Sequence, residues 1–99
     1  MEVLLTKEAF EEAVNTDSPM IIDFSAEWCG PCKMLAPLID GIEGTEKYKV
    51  DIEILPELAK EYGVTTVPTV IIFRNGEALD TIIGVQPRPV YEEKLTSLK

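Results

Sequence analysis

The sequence predicts an α/β domain in which a central mixed β-sheet of four to five strands is flanked by helices on both faces. Three observations carry that expectation. Met20-Ile21-Ile22-Asp23-Phe24-Ser25 and Thr69-Val70-Ile71-Ile72-Phe73 are apolar without alternation, as strands covered on both faces are. Stretches with apolar residues at helical spacing lie between and after these runs. Asn75-Gly76 then joins the second run to Ala78–Ile83, and both turn residues accept the positive φ of a type I′ hairpin, so one strand pair is antiparallel.

Each element follows from local chemistry. Val3-Leu4-Leu5 is a short apolar run closed by Thr6, a helix N-cap, with Glu8 in the first turn where the helix dipole favours an acid. Phe10, Ala13 and Val14 give the first helix its apolar face, and Asn15, Asp17, Ser18 and Pro19 stop it. Because Met20–Ser25 is covered on both sides, Asp23 becomes a carboxylate inside the core. The second helix begins near Cys29, where Pro31 is tolerated because first-turn N–H groups lack intrahelical partners. Met34, Leu35, Leu38, Ile39 and Ile42 form its apolar face, Pro37 is expected to kink it, and Gly41 and Gly44 to end it. Tyr48–Ile52 reads as a strand, Pro56–Tyr62 as a short helix with Gly63 as C-cap, and Val90, Tyr91, Leu95 and Leu98 mark a last helix after Pro87 and Pro89. The strand–helix order requires parallel crossovers, which are expected to be right-handed.

With 99 residues the chain has material for one core, and a single domain over residues 1–99 is expected. A net charge of -9 opposes phosphate backbones and anionic lipid, so neither nucleic acid nor membrane is an expected partner. Met1–Lys7 has Glu2 where an export signal needs a base, and its apolar run is short, which points to a cytoplasmic protein. Histidine is absent, and with it Ser-His-Asp and Cys-His catalysis and any imidazole-bound zinc.

The chemistry left is Cys29-Gly30-Pro31-Cys32. Residues three apart on a helix share a face, so these thiols close into a disulfide or open to a dithiol with little backbone movement. Cys29 falls at the helix start, where free N–H groups and the dipole favour the nucleophilic thiolate, while Cys32 lies one turn deeper and is expected to be less exposed. As a structural staple the pair restricts almost no chain entropy. A single C-x-x-C does not complete a zinc site, so a metal reading needs two chains bridged by zinc or an iron-sulfur cluster. That dimeric site is the alternative in a different functional class, and a pure interaction module is a third.

Asp23-Phe24-Ser25-Ala26-Glu27-Trp28-Cys29-Gly30-Pro31-Cys32-Lys33 resembles the active-site segment of the thioredoxin family. Tyr62-Gly63-Val64-Thr65-Thr66-Val67-Pro68-Thr69 and Phe73-Arg74-Asn75-Gly76-Glu77 resemble its cis-proline loop and hairpin, and Ile83-Gly84-Val85 its third loop, so the likeness covers almost the whole chain. The resemblance implies the thioredoxin fold and a monomeric electron carrier that reduces protein disulfides and is re-reduced by a thioredoxin reductase, with no cofactor beyond the Cys29–Cys32 disulfide. It implies Cys29 as nucleophile, Cys32 as resolving thiol, Asp23 as the buried acid-base group, Lys49 as the cation near it, and a cis Pro68. The backbone of Val67 would pair with extended substrate, while Trp28, Gly30, Pro31, Thr66, Gly84 and Val85 would form the docking rim. Three features depart from the family pattern. Ser25 stands where members commonly carry a second tryptophan, the segment from Asp40 to Lys49 is short, and Thr66 takes a place often held by a smaller residue.

Overall fold

The computed structural model describes all residues, Met1–Lys99. In chain order the elements are β1 (Glu2–Val3), α1 (Lys7–Ala13), β2 (Met20–Ser25), α2 (Gly30–Asp40), β3 (Lys47–Asp51), α3 (Pro56–Glu61), β4 (Thr69–Arg74), β5 (Glu77–Ile83) and α4 (Arg88–Ser97). The strands form one five-stranded sheet in the order β1-β3-β2-β4-β5. β3 runs parallel to β1 and β2, and β4 runs antiparallel to β2 and β5, so the expected mixed sheet is present.

Side-chain alternation along β2 divides the core. Met20, Ile22 and Phe24 face the layer of α1 and α3, where they meet Phe10, Leu58, Ile71 and Phe73. Ile21 faces the other layer, with Leu35 and Ile39 of α2, Val70 and Ile72 of β4, and Tyr91 and Leu95 of α4. All six residues of β2 are buried, which explains its apolar, non-alternating sequence. Asp23 therefore has no solvent face to occupy.

The boundaries differ from the sequence expectations at particular places. β1 is Glu2–Val3 and not Val3–Leu5, because the chain leaves the sheet edge there: Leu4 turns into the core, Leu5 is exposed, and Thr6 caps α1 by accepting the Ala9 N–H at 3.0 Å. Ile52 falls outside β3, yet its N–H still donates to the Ser25 carbonyl at 3.0 Å. Helix α2 runs through Pro37 to Asp40 as one element, and its C-cap Gly41 keeps right-handed backbone, with the positive φ deferred to Gly44. At the hairpin, Asn75 (φ 51°) and Gly76 (φ 76°) both adopt positive φ, as the type I′ turn demands. Ile72 pairs with Asp80 and Phe73 with Ala78, so Leu79 is an unpaired bulge residue that the alternation pattern did not reveal.

Phe10 anchors the face remote from the cysteines, edge-on to Phe73 with ring centroids 5.5 Å apart and tilted against Tyr62 at 5.7 Å. Phe10→Ala is expected to cost about 3–5 kcal/mol. The measurement is urea unfolding, where the midpoint falls at unchanged slope while the disulfide chemistry persists. A loss below about 1 kcal/mol would show that this aromatic cluster is not the anchor of its layer.

Candidate active site

The chain reaches the site where β2 ends. A turn in which the Cys29 N–H donates to the Ala26 carbonyl at 3.2 Å brings Cys29 to the N-cap of α2, with Gly30 and Pro31 opening the helix. The two cysteines are joined as a disulfide, with Cα atoms 5.3 Å apart. The Cys32 N–H donates to Cys29 Sγ at 3.1 Å. That donor is one of the first-turn N–H groups a helix leaves unpaired, and a donor so placed favours negative charge on the sulfur it points at.

One expectation is corrected here. Cys29 and Cys32 are 4% and 3% exposed, so Cys32 is not appreciably deeper than Cys29. Ala26, Ile52 and Val67 pack around both. The difference between the sulfurs lies in their hydrogen bonding.

Asp23 lies beneath the pair on β2, on the face of the sheet that α2 covers. It is fully buried, and neither carboxylate oxygen has a protein hydrogen-bond partner. Burial pushes its pKa from the ordinary 3.8 up to about 7; the Lys49 charge pulls it down, and the Asp40 charge pushes it up again. The strand register brings Lys49 beside Asp23, since the two are paired across β2 and β3. The shortened segment before β3 thus preserves this neighbour.

The remaining predicted residues gather from three loops. Val67–Pro68 is cis, and Cys29 Sγ lies 3.7 Å from the Val67 carbonyl oxygen. The Thr69 hydroxyl donates to the Thr66 carbonyl at 2.8 Å, which pins this loop to the start of β4. The Gly84 N–H donates to the Pro68 carbonyl at 2.9 Å, so the loop after β5 is tied to the proline loop. Gly84 has φ 80°, a conformation open to glycine without strain. Trp28 is 67% exposed on the turn before Cys29, and Gly30, Pro31 and Thr66 are exposed while Val67, Gly84 and Val85 are half-buried.

Sequence patterns missed two supports. Tyr91 reads as an apolar position of α4, but its hydroxyl accepts the Gln86 N–H at 3.0 Å and donates to the Gly84 carbonyl at 3.3 Å, bracing the third loop from behind. Asp40 reads as the end of a helix, yet its charge acts on Asp23 while the Met1 ammonium pairs with it at 2.9 Å. The presence of a Tyr and an Asp was visible in the sequence, but their partners were not. Within one chain no three His, Cys, Asp or Glu side chains gather as metal ligands.

A disulfide that opens at a helix start, above a carboxyl group able to hold or release a proton near neutrality, is the working unit of a thiol-disulfide oxidoreductase. The thioredoxin family profile matches residues 2–97. A thioredoxin of Porphyra purpurea is 40% identical over 92 residues, covering 86% of this chain and 84% of that protein. One of Rickettsia typhi is 50% identical over 82 residues, 78% of each chain. Among solved structures, Malassezia sympodialis thioredoxin superposes with a TM-score of 0.86 at 32% identity, covering 98% of this chain and 89% of that one. A mutant thioredoxin of Halobacterium salinarum gives 0.90 at 27% identity, over 97% and 88%. The chain belongs to the thioredoxin family, the protein-disulfide reductases that work through a redox-active CxxC disulfide. Membership implies a reductase and disulfide-bearing substrates as the general classes of partner.

Asp23 also sets a pH dependence. Between pH 4 and 7 the unfolded chain has this carboxylate ionised while the folded protein still holds the proton, so folding binds a proton and stability falls as pH rises. The full effect at pH 8 is about 4 kcal/mol. Asp23→Asn is therefore expected to be more stable than the unmodified protein at pH 8 and close to it at pH 4, measured by urea unfolding of the disulfide form. Equal differences at both pH values would show that Asp23 does not ionise in the fold.

Proposed function

We propose that Cys29 and Cys32 divide the reduction of a substrate disulfide into two exchanges. The Cys29 thiolate attacks one substrate sulfur, forming a Cys29–substrate disulfide and expelling the other sulfur as a thiolate. Cys32 then gives its proton to Asp23 and attacks Cys29 Sγ, which closes the Cys29–Cys32 disulfide and releases the second substrate thiolate. Two electrons pass to the substrate. A thioredoxin reductase returns them, and no cofactor beyond the disulfide takes part.

The observation that carries this reading is the Cys32 N–H at 3.1 Å from Cys29 Sγ. A donor aimed at one sulfur lowers the pKa of that thiol and makes it both the attacking group and the better leaving group. Burial raises the proton affinity of Asp23, while Lys49 lowers it and keeps the carboxylate available in the ionised form that can accept a proton. Substrate docks as an extended segment on the backbone of Val67, beside cis Pro68. Trp28, Gly30, Pro31, Thr66, Gly84 and Val85 form the rim it lies against. This rim lacks charged side chains, which suits recognition by shape and backbone across many protein disulfides.

Residues 1–99 act in this reading as a single, monomeric domain. We place it in the cytoplasm, where a C-x-x-C pair serves catalysis more often than stability. No helix is long and apolar enough to cross a membrane, and the net charge of -9 disfavours nucleic acid and anionic lipid as partners.

Trapping tests the division of roles. Cys32→Ser, passed as immobilised dithiol-treated protein through a cell extract, is expected to retain proteins that dithiothreitol releases, while Cys29→Ser retains few. Equal retention by both variants would overturn the assignment. Metal-dependent colour together with a dimeric mass would favour the cluster alternative instead.

A further inference from the structure

Tyr91 is fully buried in the apolar layer that it shares with Leu35 and Ile39 of α2 and Val70 and Ile72 of β4. A phenylalanine would fill that place without a hydroxyl, a group that costs free energy when it leaves water unpaired. The Tyr91 hydroxyl is paired twice, accepting the Gln86 N–H at 3.0 Å and donating to the Gly84 carbonyl at 3.3 Å. One buried oxygen thus grips the backbone on both sides of Val85, whose half-buried side chain packs against the same layer. Gly84 passes the grip on, since its N–H donates to the Pro68 carbonyl at 2.9 Å.

Little else holds this turn. Pro87, the N-cap of α4, makes no side-chain capping bond, and Pro87 and Pro89 bring no N–H to the loop. Gly84, at φ 80°, is a residue with wide conformational freedom once released. Burial raises the pKa of the Tyr91 hydroxyl above the ordinary 10.0, the Gln86 N–H draws it down, and the Asp23 charge raises it again. The hydroxyl therefore keeps its proton, and with it the bond to Gly84, at neutral pH.

We infer that Tyr91 is a positioning residue for protein substrates: its hydroxyl fixes the Gly84–Gln86 turn in the shape that receives the polypeptide around the reacting disulfide, and it takes no part in the exchange between sulfurs. The inference rests on the docking rim described above and deepens it. Without the hydroxyl, the Gln86 N–H and the Gly84 carbonyl turn to water, and the loop must be ordered again each time substrate docks. Ordering a loop on binding lowers affinity, while the chemistry at Cys29 and Cys32 is left as it was. A polypeptide that spans the rim feels that loss. A disulfide with two short arms, which reaches the sulfurs without spanning the rim, does not.

The test compares the full chain with Tyr91→Phe, which keeps the ring in the core and removes only the hydroxyl. Tyr91→Leu is the second variant without it. With dithiothreitol as electron donor, the KM for insulin is expected to rise about fivefold at unchanged kcat, the size of one net hydrogen bond. Reduction of bis(2-hydroxyethyl) disulfide is expected to keep its rate, and the Cys29–Cys32 couple its midpoint in a glutathione series. The Gln86 amide is expected to exchange with deuterium about fivefold faster in the disulfide form of Tyr91→Phe. An unchanged insulin KM, equal losses on insulin and on the small disulfide, or unchanged exchange at Gln86 would overturn the inference. Failure of the unmodified dithiol protein to reduce insulin would overturn the reductase reading itself, which the exchange at Gln86 does not depend on.

Discussion

Strand β2 is covered by helices on both faces, so every side chain it carries leaves water, and Asp23 leaves water with them. An ionised carboxylate without a hydrogen-bond partner is costly in such a place. The fold meets that cost by letting the group hold its proton up to about pH 7. A core designed only for stability would put an apolar residue here, as it does at the neighbouring Ile22 and Phe24. A buried carboxyl group that loses its proton near neutrality, in the layer under the helix that starts at a cysteine pair, is the kind of perturbed group that gathers at functional sites.

The rest of the site is arranged around that strand. β2 delivers Asp23 and, one turn later, Cys29. β3 delivers Lys49 through the parallel register, and β4 begins at the proline loop. The antiparallel β4–β5 hairpin then returns the chain so that Gly84 hydrogen-bonds to Pro68. Tyr91 closes the arrangement from α4. Three loops that are distant in sequence converge because the sheet order places the C-terminal ends of β2 and β3 beside the start of β4. The loops need little order of their own, since each is tied down by one or two hydrogen bonds to rigid elements.

Much of this was legible in the sequence, for identifiable reasons. The unbroken apolar runs of β2 and β4 and the Asn75-Gly76 turn are local signals, and the structure keeps each of them. Strand ends were less legible. The two residues of β1 and the shift of β3 to Lys47–Asp51 are decided by where the chain leaves the sheet edge, a tertiary matter. The Leu79 bulge depends on pairing that no alternation records. The C-x-x-C spacing and the helix start revealed the redox pair, but the expected difference in exposure failed. One helical turn changes depth only if the neighbours leave the outer residue uncovered, and Ala26, Ile52 and Val67 cover both sulfurs.

The equal burial of the two cysteines sharpens the account of their chemistry. Had Cys29 been open and Cys32 closed, access alone would assign the attacking sulfur. With both covered, what distinguishes them is the field: a helix-start N–H points at Cys29, and the uncompensated carboxyl group of Asp23 lies in the layer beneath the pair. A sulfur favoured as a thiolate is favoured in both directions, as nucleophile when the dithiol acts and as leaving group when the disulfide is reopened. The same hydrogen bond therefore bears on both directions of exchange at the pair, because it acts on one sulfur and not on the other.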